Sequence, residues 1–179
     1  MNRSSLKLRV ATTDDLPAMR EVMQLAIEEL QKSFLSPAEI AASHAVMGLD
    51  TQLVEDGTYF IVEEGGRIAG CGGWSRRATL YGGDHSSDLR QPRLLDPATE
   101  EARVRAMYTH PDYVRRGVGR MILDAAERAA RAERFRGVRL MATLSGEPLY
   151  RACGYREVER TVAGTDSTAV PLVLMAKAL

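Results

Sequence analysis

The sequence predicts a single-domain α/β protein, and three observations carry that prediction. Apolar residues recur with two periods in successive segments: near two where β-branched and aromatic residues cluster, and near 3.6 where alanine, leucine and methionine do. The length of 179 residues suits one domain, 1–179, able to bury roughly 70% of its unfolded surface in one core. Turn residues punctuate the segments, with no repeat or low-complexity tract among them.

Taken in order, residues 6–11 read as a strand closed by ThrThrAspAsp, where an aspartate can cap the helix that follows. That helix carries Leu16, Met19, Met23, Ala26, Ile27 and Leu30 on one stripe. Ser36-Pro37 opens a second helix, SPAEIAASHAVMGL, with serine as cap, proline in the first turn and Gly48 as a stop. Residues 58–64 and 67–74 flank Gly65-Gly66 and predict a β-hairpin, whose second arm contains GlyCysGlyGly and so expects a close backbone approach or a bulge. Residues 76–100 lack a sustained period and read as a long functional loop. Residues 102–109 alternate as a strand, with Glu101, Arg103, Arg105, Met107 and Thr109 on one face and Val104, Ala106 and Tyr108 on the other. Residues 117–135 are the best helix. Val118, Met121, Ile122, Ala125, Ala129 and Ala132 form its apolar stripe, and the pairs Asp124–Arg128 and Glu127–Arg131 support its other face. A strand at 138–143, a short helix at 146–152 and closing strands at 155–160 and 169–176 complete the order β-α-α-β-β-β-α-β-α-β-β.

Composition excludes several classes of function. Lys+Arg and Asp+Glu each number 24, so no global field draws the chain to nucleic acid or an acidic membrane, and neither is expected as a partner. No apolar run approaches the ~20 residues that span a bilayer. The opening MNRSSLKLRVATTDD has no apolar signal core, which predicts a cytoplasmic protein. Cys71 and Cys153 are too few for a metal knuckle or a disulfide framework and read as buried reduced thiols, with no metal required.

The chemistry concentrates in residues 108–123, YTHPDYVRRGVGRMIL. A strand entering a glycine turn and then a helix leaves backbone N–H groups unpaired at the helix start, and with the helix dipole these form an anion site. Gly117 and Gly119 clear side chains from that site, while Arg115, Arg116 and Arg120 bring positive charge to its rim, an arrangement suited to a pyrophosphate. Two familiar phosphate motifs fail. A dinucleotide fingerprint needs a small third residue where this chain has Ile122, and no Gly-Lys-Ser/Thr occurs.

This segment resembles the acetyl-CoA-binding motif of the GNAT N-acetyltransferases, Gln/Arg-x-x-Gly-x-Gly/Ala after the fourth strand. A second stretch, TLSGEPLYRACGY, resembles the family's later strand and short helix, here with Tyr150 four residues before Gly154-Tyr155. Both motifs fall in the family's order, and the resemblance covers nearly the whole chain. Val114 stands where the family has Gln or Arg, with Arg115 or Arg116 as replacement, and Ser145 where many members have asparagine.

The resemblance implies a central, mixed, mostly antiparallel sheet, splayed between its fourth and fifth strands and flanked by helices. It implies acetyl-CoA as cosubstrate and transfer of its acetyl group to a primary amine of a small molecule or protein, by direct attack in a ternary complex. Backbone groups of Met107, Tyr108 and Thr109 would pair with the pantetheine arm, with Ser145 beside it. The amides of Arg115, Arg116, Gly117, Val118, Gly119 and Arg120 would hold the pyrophosphate. A bulge near Met107 is also expected. Tyr150 would donate a proton to the departing sulfur. An alkyl ammonium of pKa ~10.4 is neutral in roughly one molecule in a few thousand at pH 7, so the reaction also asks for a base. Glu101 is the first candidate, with Glu100, His110 and Asp112 behind it. His110 beside Pro111 reads first as a turn residue.

Residues 76–100 are expected on the acceptor side, with Trp74, Tyr81, Asp84, His85 and Asp88 as candidate lining. Arg103 and Arg105, two cations on one strand face, call for an acid or an anionic acceptor to pair with. A homodimer is compatible with the sequence. A second class stays open, a non-catalytic acyl-CoA-binding sensor or interaction module of the same fold.

Overall fold

The computed structural model describes residues 5–164 and 168–179. Seven strands form one sheet in the order β1-β2-β3-β4-β5-β7-β6. They are β1 (Lys7–Val10), β2 (Tyr59–Glu64), β3 (Arg67–Ser75), β4 (Ala102–Thr109), β5 (Gly137–Thr143), β6 (Arg156–Ala163) and β7 (Val170–Ala178). Every neighbouring pair is antiparallel except β4 and β5, which run parallel. The expected mixed sheet flanked by helices is therefore the fold of this chain.

The helices are α1 (Leu16–Leu30), α2 (Pro37–Val46), α3 (Thr51–Glu55), α4 (Val118–Ala132) and α5 (Glu147–Ala152). Local chemistry explains their starts. Ser36 accepts from the Glu39 N–H and Glu39 returns a carboxylate to the Ser36 N–H, the reciprocal cap that fixes where α2 begins. The Asp50 side chain accepts from the Gln52 N–H and starts α3, a five-residue helix that the sequence pattern did not announce because it is too short to show a period. Three layers result, helix, sheet and helix. Met19, Ala26 and Ile27 of α1 cover one face of the sheet against Tyr59 and Ile61, while Leu123, Ala126 and Ala130 of α4 cover the other against Val104, Val138 and Leu140.

Two expectations for α4 change. The buried face is wider than the predicted stripe, taking in Leu123, Ala126 and Ala130, while Ala132 is exposed. Glu127, expected on the solvent face, is 4% exposed and accepts from Lys177 of β7 at 2.8 and 3.0 Å. Arg131 reaches it only at 3.9 Å. An i,i+4 spacing says which residues share a face and not which face the sheet covers.

Residues 76–100 are the long loop expected, with no strand or α-helix among the described residues between β3 and β4, but they are held by specific hydrogen bonds. Ala78 and Thr79 donate to the carbonyls of Arg93 and Gln91, Arg77 bridges to Leu94, and a 3-10 turn spans Ser87–Leu89. Asp84 accepts from the backbone N–H and the hydroxyl of Thr51, both at 3.0 Å, which ties the loop to the start of α3.

Candidate active site

β4 and β5 pair only at Ala102 with Val138 and Arg103 with Arg139. Beyond that point β4 stays with β3 as far as Thr109 and β5 with β7 as far as Thr143. The facing edges of β4 and β5 therefore diverge, and their backbone groups lose their strand partners over the length of a wedge. Unpaired backbone of this kind suits an extended ligand that adds itself as a strand. A cavity of about 80 Å³ lies in the wedge, lined by Met107 and Tyr108 of β4, Leu140 and Thr143 of β5, and Tyr150 of α5.

A bulge shapes the β4 wall. Cys71 of β3 lies opposite Tyr108 and Gly73 opposite Arg105, so Ala106 and Met107 together face Gly72. Ala106 takes a φ of 51°, a left-handed conformation that costs a non-glycine residue about 1–2 kcal/mol. The Tyr59 hydroxyl donates to the Ala106 carbonyl at 3.1 Å and holds the distorted peptide from the α1 side. The extra residue reverses the strand's parity. Met107 turns to the α4 side, where any side chain on Gly72 would strike its sulfur. Arg105 and Tyr108 face the α1 side, so the simple alternation that grouped Met107 with Arg105 does not hold past the bulge. Tyr108 is buried and donates to the Gly48 carbonyl at 2.9 Å.

The start of α4 follows a left-handed glycine turn. Gly117 caps α4 with a φ of 86° and no side chain caps the helix. Arg115 before it has a φ of 63°. A Cβ on Gly117 would meet nothing within 4 Å, so its glycine serves the left-handed turn. Gly119 serves something else. A Cβ there would lie 2.5 Å from Leu149 Cδ2, so this glycine lets α4 approach the helix that carries Tyr150, rather than clearing a path to the amides. Val118 is buried in the core beside Val62 and Tyr113. Arg116 is bound to both carboxylate oxygens of Glu64, at 2.6 and 3.0 Å, and lies over the Tyr113 ring. Arg115 and Arg120 form no ion pair among the described residues.

Tyr150 is 7% exposed, its ring edge-on to Tyr155, and burial pushes its phenol above the ordinary tyrosine value. It is protonated throughout the neutral range, as a proton donor must be. Ser145 does not line the cavity. Its hydroxyl lies 3.1 Å from Thr143 Oγ1, which also accepts from the Gly146 N–H. Thr143 is the polar β5 side chain that the cavity receives, and sequence reasoning passed over it because threonine in a strand carries no signal of its own.

The structure does not bring Glu101 to Tyr150. Glu101 precedes the foot of β4, where β4 and β5 are still hydrogen-bonded, and accepts from Arg139 Nε at 2.6 Å. Met107 is six positions further on, roughly 20 Å along a strand. The runners-up are also engaged elsewhere. Glu100 is bound by Arg93 at 2.7 and 3.0 Å, which holds its carboxyl down to about 2. His110 Nδ1 accepts from the Asp112 N–H in a turn, as expected of it, and Asp112 pairs with Arg67 at 2.8 Å. Among the described residues, no carboxylate or imidazole lines the cavity.

Of the expected acceptor-side residues, only Tyr81 reaches the cavity, together with Leu80 and Gly82. Trp74 is a core residue, 2% exposed and edge-on to Phe135. Asp84 and His85 fasten the loop to the α2–α3 segment, His85 through the Ala45 carbonyl, and Asp88 is exposed. Arg105 lines the cavity from β4 and finds the acid it needs in Asp50, at 2.9 Å with side chains 2% and 3% exposed. It also donates to the Gly82 carbonyl at 2.8 Å. Arg103 donates to the Glu101 carbonyl instead. Cys71 is buried, and its thiol is pushed up to about 12 by burial. Cys153 is only partly buried, against expectation, because it closes a short helix at the surface.

A parallel pair that separates into a wedge, a bulged strand on one side and an uncapped helix start at its mouth define the fold of acyl-CoA-dependent acetyltransferases. The model of the acetyltransferase (GNAT) domain matches residues 55–157, and the chain belongs to that family. No curated protein sequence matches the chain. Among solved structures, a GCN5-related N-acetyltransferase of Rhodopseudomonas palustris is similar over 100% of this chain and 99% of its own, with a TM-score of 0.70 at 21% identity. The PaiA N-acetyltransferase of Thermoplasma acidophilum, in complex with coenzyme A, is similar over 98% and 99%, with a TM-score of 0.64 at 14% identity. The yncA protein of Salmonella typhimurium, with its cofactor acetyl-CoA, is similar over 97% and 93%, with a TM-score of 0.62 at 17% identity. These likenesses are of fold. No described helix is long and apolar enough to cross a membrane.

Proposed function

We propose that this chain is a single-domain cytoplasmic N-acetyltransferase that binds acetyl-CoA and an amine together and transfers the acetyl group directly between them. The observation that carries the reading is Tyr150, a buried phenol lining a cavity inside the β4–β5 wedge. The residues fit the cosubstrate in three places. The N–H groups from Arg115 to Arg120 meet a pyrophosphate at the left-handed Gly117 turn, with Arg115 and Arg120 as mobile countercharges. Backbone groups of Met107, Tyr108 and Thr109 take the pantetheine arm along the open edge of β4. The Tyr150 hydroxyl faces the thioester end. When bound, acetyl-CoA supplies an activated acyl group with a thiolate leaving group. Tyr150 gives that sulfur a proton as its charge develops, a contribution of typically 10²- to 10⁴-fold for a positioned acid.

The coenzyme complexes of PaiA and yncA, which share the fold, support the same ligand here. Titration calorimetry with acetyl-CoA, followed by release of free CoA thiol over a panel of amines, tests the reading. Micromolar binding with amine-dependent release is expected. Tight binding without release for any amine would favour the sensor reading, and absence of binding would overturn both.

A further inference from the structure

The cavity in the wedge has two ends. The coenzyme end is formed by the splayed backbone and Tyr150. The other end is walled by Val46 and Met47 from the α2 side, Leu80 and Tyr81 of the 76–100 loop and Leu172 of β7, and Arg105 also lines the cavity. The Asp50 carboxylate that pairs with Arg105 does not line the cavity, and it is engaged by the guanidinium at 2.9 Å, the Gln52 N–H at 3.0 Å and Arg90 at 3.6 Å. An entering acceptor therefore meets aliphatic carbon, phenols, the Thr143 hydroxyl and a guanidinium already paired with Asp50, and no carboxylate among the described residues. Among the described residues, the titratable side chains lining this space are Tyr81, Arg105, Tyr108 and Tyr150, with no carboxylate or imidazole.

We propose that the acceptor is a small apolar monoamine that enters as the free base, and that an aliphatic wall without a carboxylate or imidazole makes this choice. The inference rests on the acetyl-transfer reading and specifies its substrate class. Two physical arguments lead to it. An ammonium taken from water into an apolar site needs a carboxylate or a set of acceptors, or its desolvation is uncompensated. The Arg105 guanidinium, already paired with Asp50, has no lone pair to offer it, so the neutral amine is favoured. Polycations such as polyamines and aminoglycosides, which carry several ammonium groups within a few bonds, fit this end worst. An aliphatic or arylalkyl amine loses little on entry and gains from burial of its hydrocarbon at roughly 25 cal/mol per Å². The bond-making step then balances simply. The neutral nitrogen attacks the thioester carbonyl carbon, the carbon–sulfur bond breaks, Tyr150 protonates the sulfur, and the excess proton on nitrogen leaves to water, one proton in return reprotonating Tyr150.

The experiment compares kcat/KM for phenethylamine and isoamylamine with that for spermidine and kanamycin, and follows the pH dependence for phenethylamine and its less basic β-fluorinated analogue. At least tenfold preference for the monoamines is expected. Their kcat/KM should rise with pH until the amine's own pKa, with the plateau reached earlier for the fluorinated analogue. An enzymic base acting on a bound ammonium would instead give a profile that rises near the base's pKa and falls above the amine's, and that result would overturn the inference, as would equal or better use of the polycations. Leu80→Glu, on a partly exposed wall residue, provides an independent arm. Placing a carboxylate at the cavity should raise spermidine turnover about tenfold relative to phenethylamine, and no change would count against the charge argument. Acetyl-CoA binding by calorimetry in the same samples separates the two levels. A protein that binds the coenzyme but prefers polycations loses only this inference, whereas one that fails to bind it loses the acetyl-transfer reading beneath.

Discussion

The Tyr59 hydroxyl donates to the Ala106 carbonyl across 3.1 Å, from the second strand of the sheet to the bulge in the fourth. Tyr59 is completely buried, and burial raises its phenol well above the ordinary value, so the group is a permanent donor. The bond compensates a left-handed alanine at the point where β4 turns from β5. Tyr59→Phe leaves that carbonyl without its donor, and stability should fall by about 1–3 kcal/mol in urea denaturation. If the bulge orients the wedge, acetyl transfer should fall as well while coenzyme affinity changes less. A variant with full activity and lowered stability would make the bond structural alone.

Tyr150→Phe keeps the ring against Tyr155 and removes only the hydroxyl. Single-turnover acetyl transfer at saturating coenzyme should slow by about 10- to 10³-fold with binding nearly unchanged, because the interaction strengthens only as charge develops on sulfur. Since burial raises the phenol's pKa, the wild-type rate should show no loss of this acid on going from pH 6 to 9. An unchanged rate in the variant would leave protonation of the sulfur to water.

Gly119→Val places a side chain where Leu149 already stands, 2.5 Å from a Cβ. Overpacking should cost about 1–3 kcal/mol and displace the helix that carries Tyr150. The added Leu149→Ala change should restore much of both stability and turnover. Gly117→Ala, by contrast, meets no neighbour and should cost only the left-handed conformation, about 1–2 kcal/mol. Thermal melts of the three variants distinguish close packing from backbone strain.

Arg105→Met strands the Asp50 carboxylate in the core, and a loss of about 3–5 kcal/mol is expected. Pairing the change with Asp50→Leu removes the stranded charge and should recover most of the loss, less about 1 kcal/mol for the missing cap on α3. A double variant no more stable than the single would mean that Asp50 acts chiefly through the cap and the loop.

The sequence by itself determined the elements whose causes are local. A serine–glutamate cap starts α2 where SPAE predicts it, the two-glycine turn makes the β2–β3 hairpin, and Arg-Gly-Val-Gly after a strand produces a left-handed cap and an open helix start. The spacing from Tyr150 to Gly154 likewise lies within one short helix and its turn. These depend on interactions spanning a few residues, which a pattern can record.

Only the tertiary structure decided which of the chemically apt side chains meet. Glu101 lies at the closed end of the wedge because β4 and β5 separate after Arg103, a matter of how two strands 36 positions apart in their register twist away from each other. Met107 changes face because one extra residue opposes Gly72, and Arg105 finds Asp50 across 55 positions of chain. Alternation and charge say what a residue requires. The register of strands distant in sequence says where that requirement is met, because long-range pairing is selected by the packing of the whole sheet against its helices and not by neighbours in the chain.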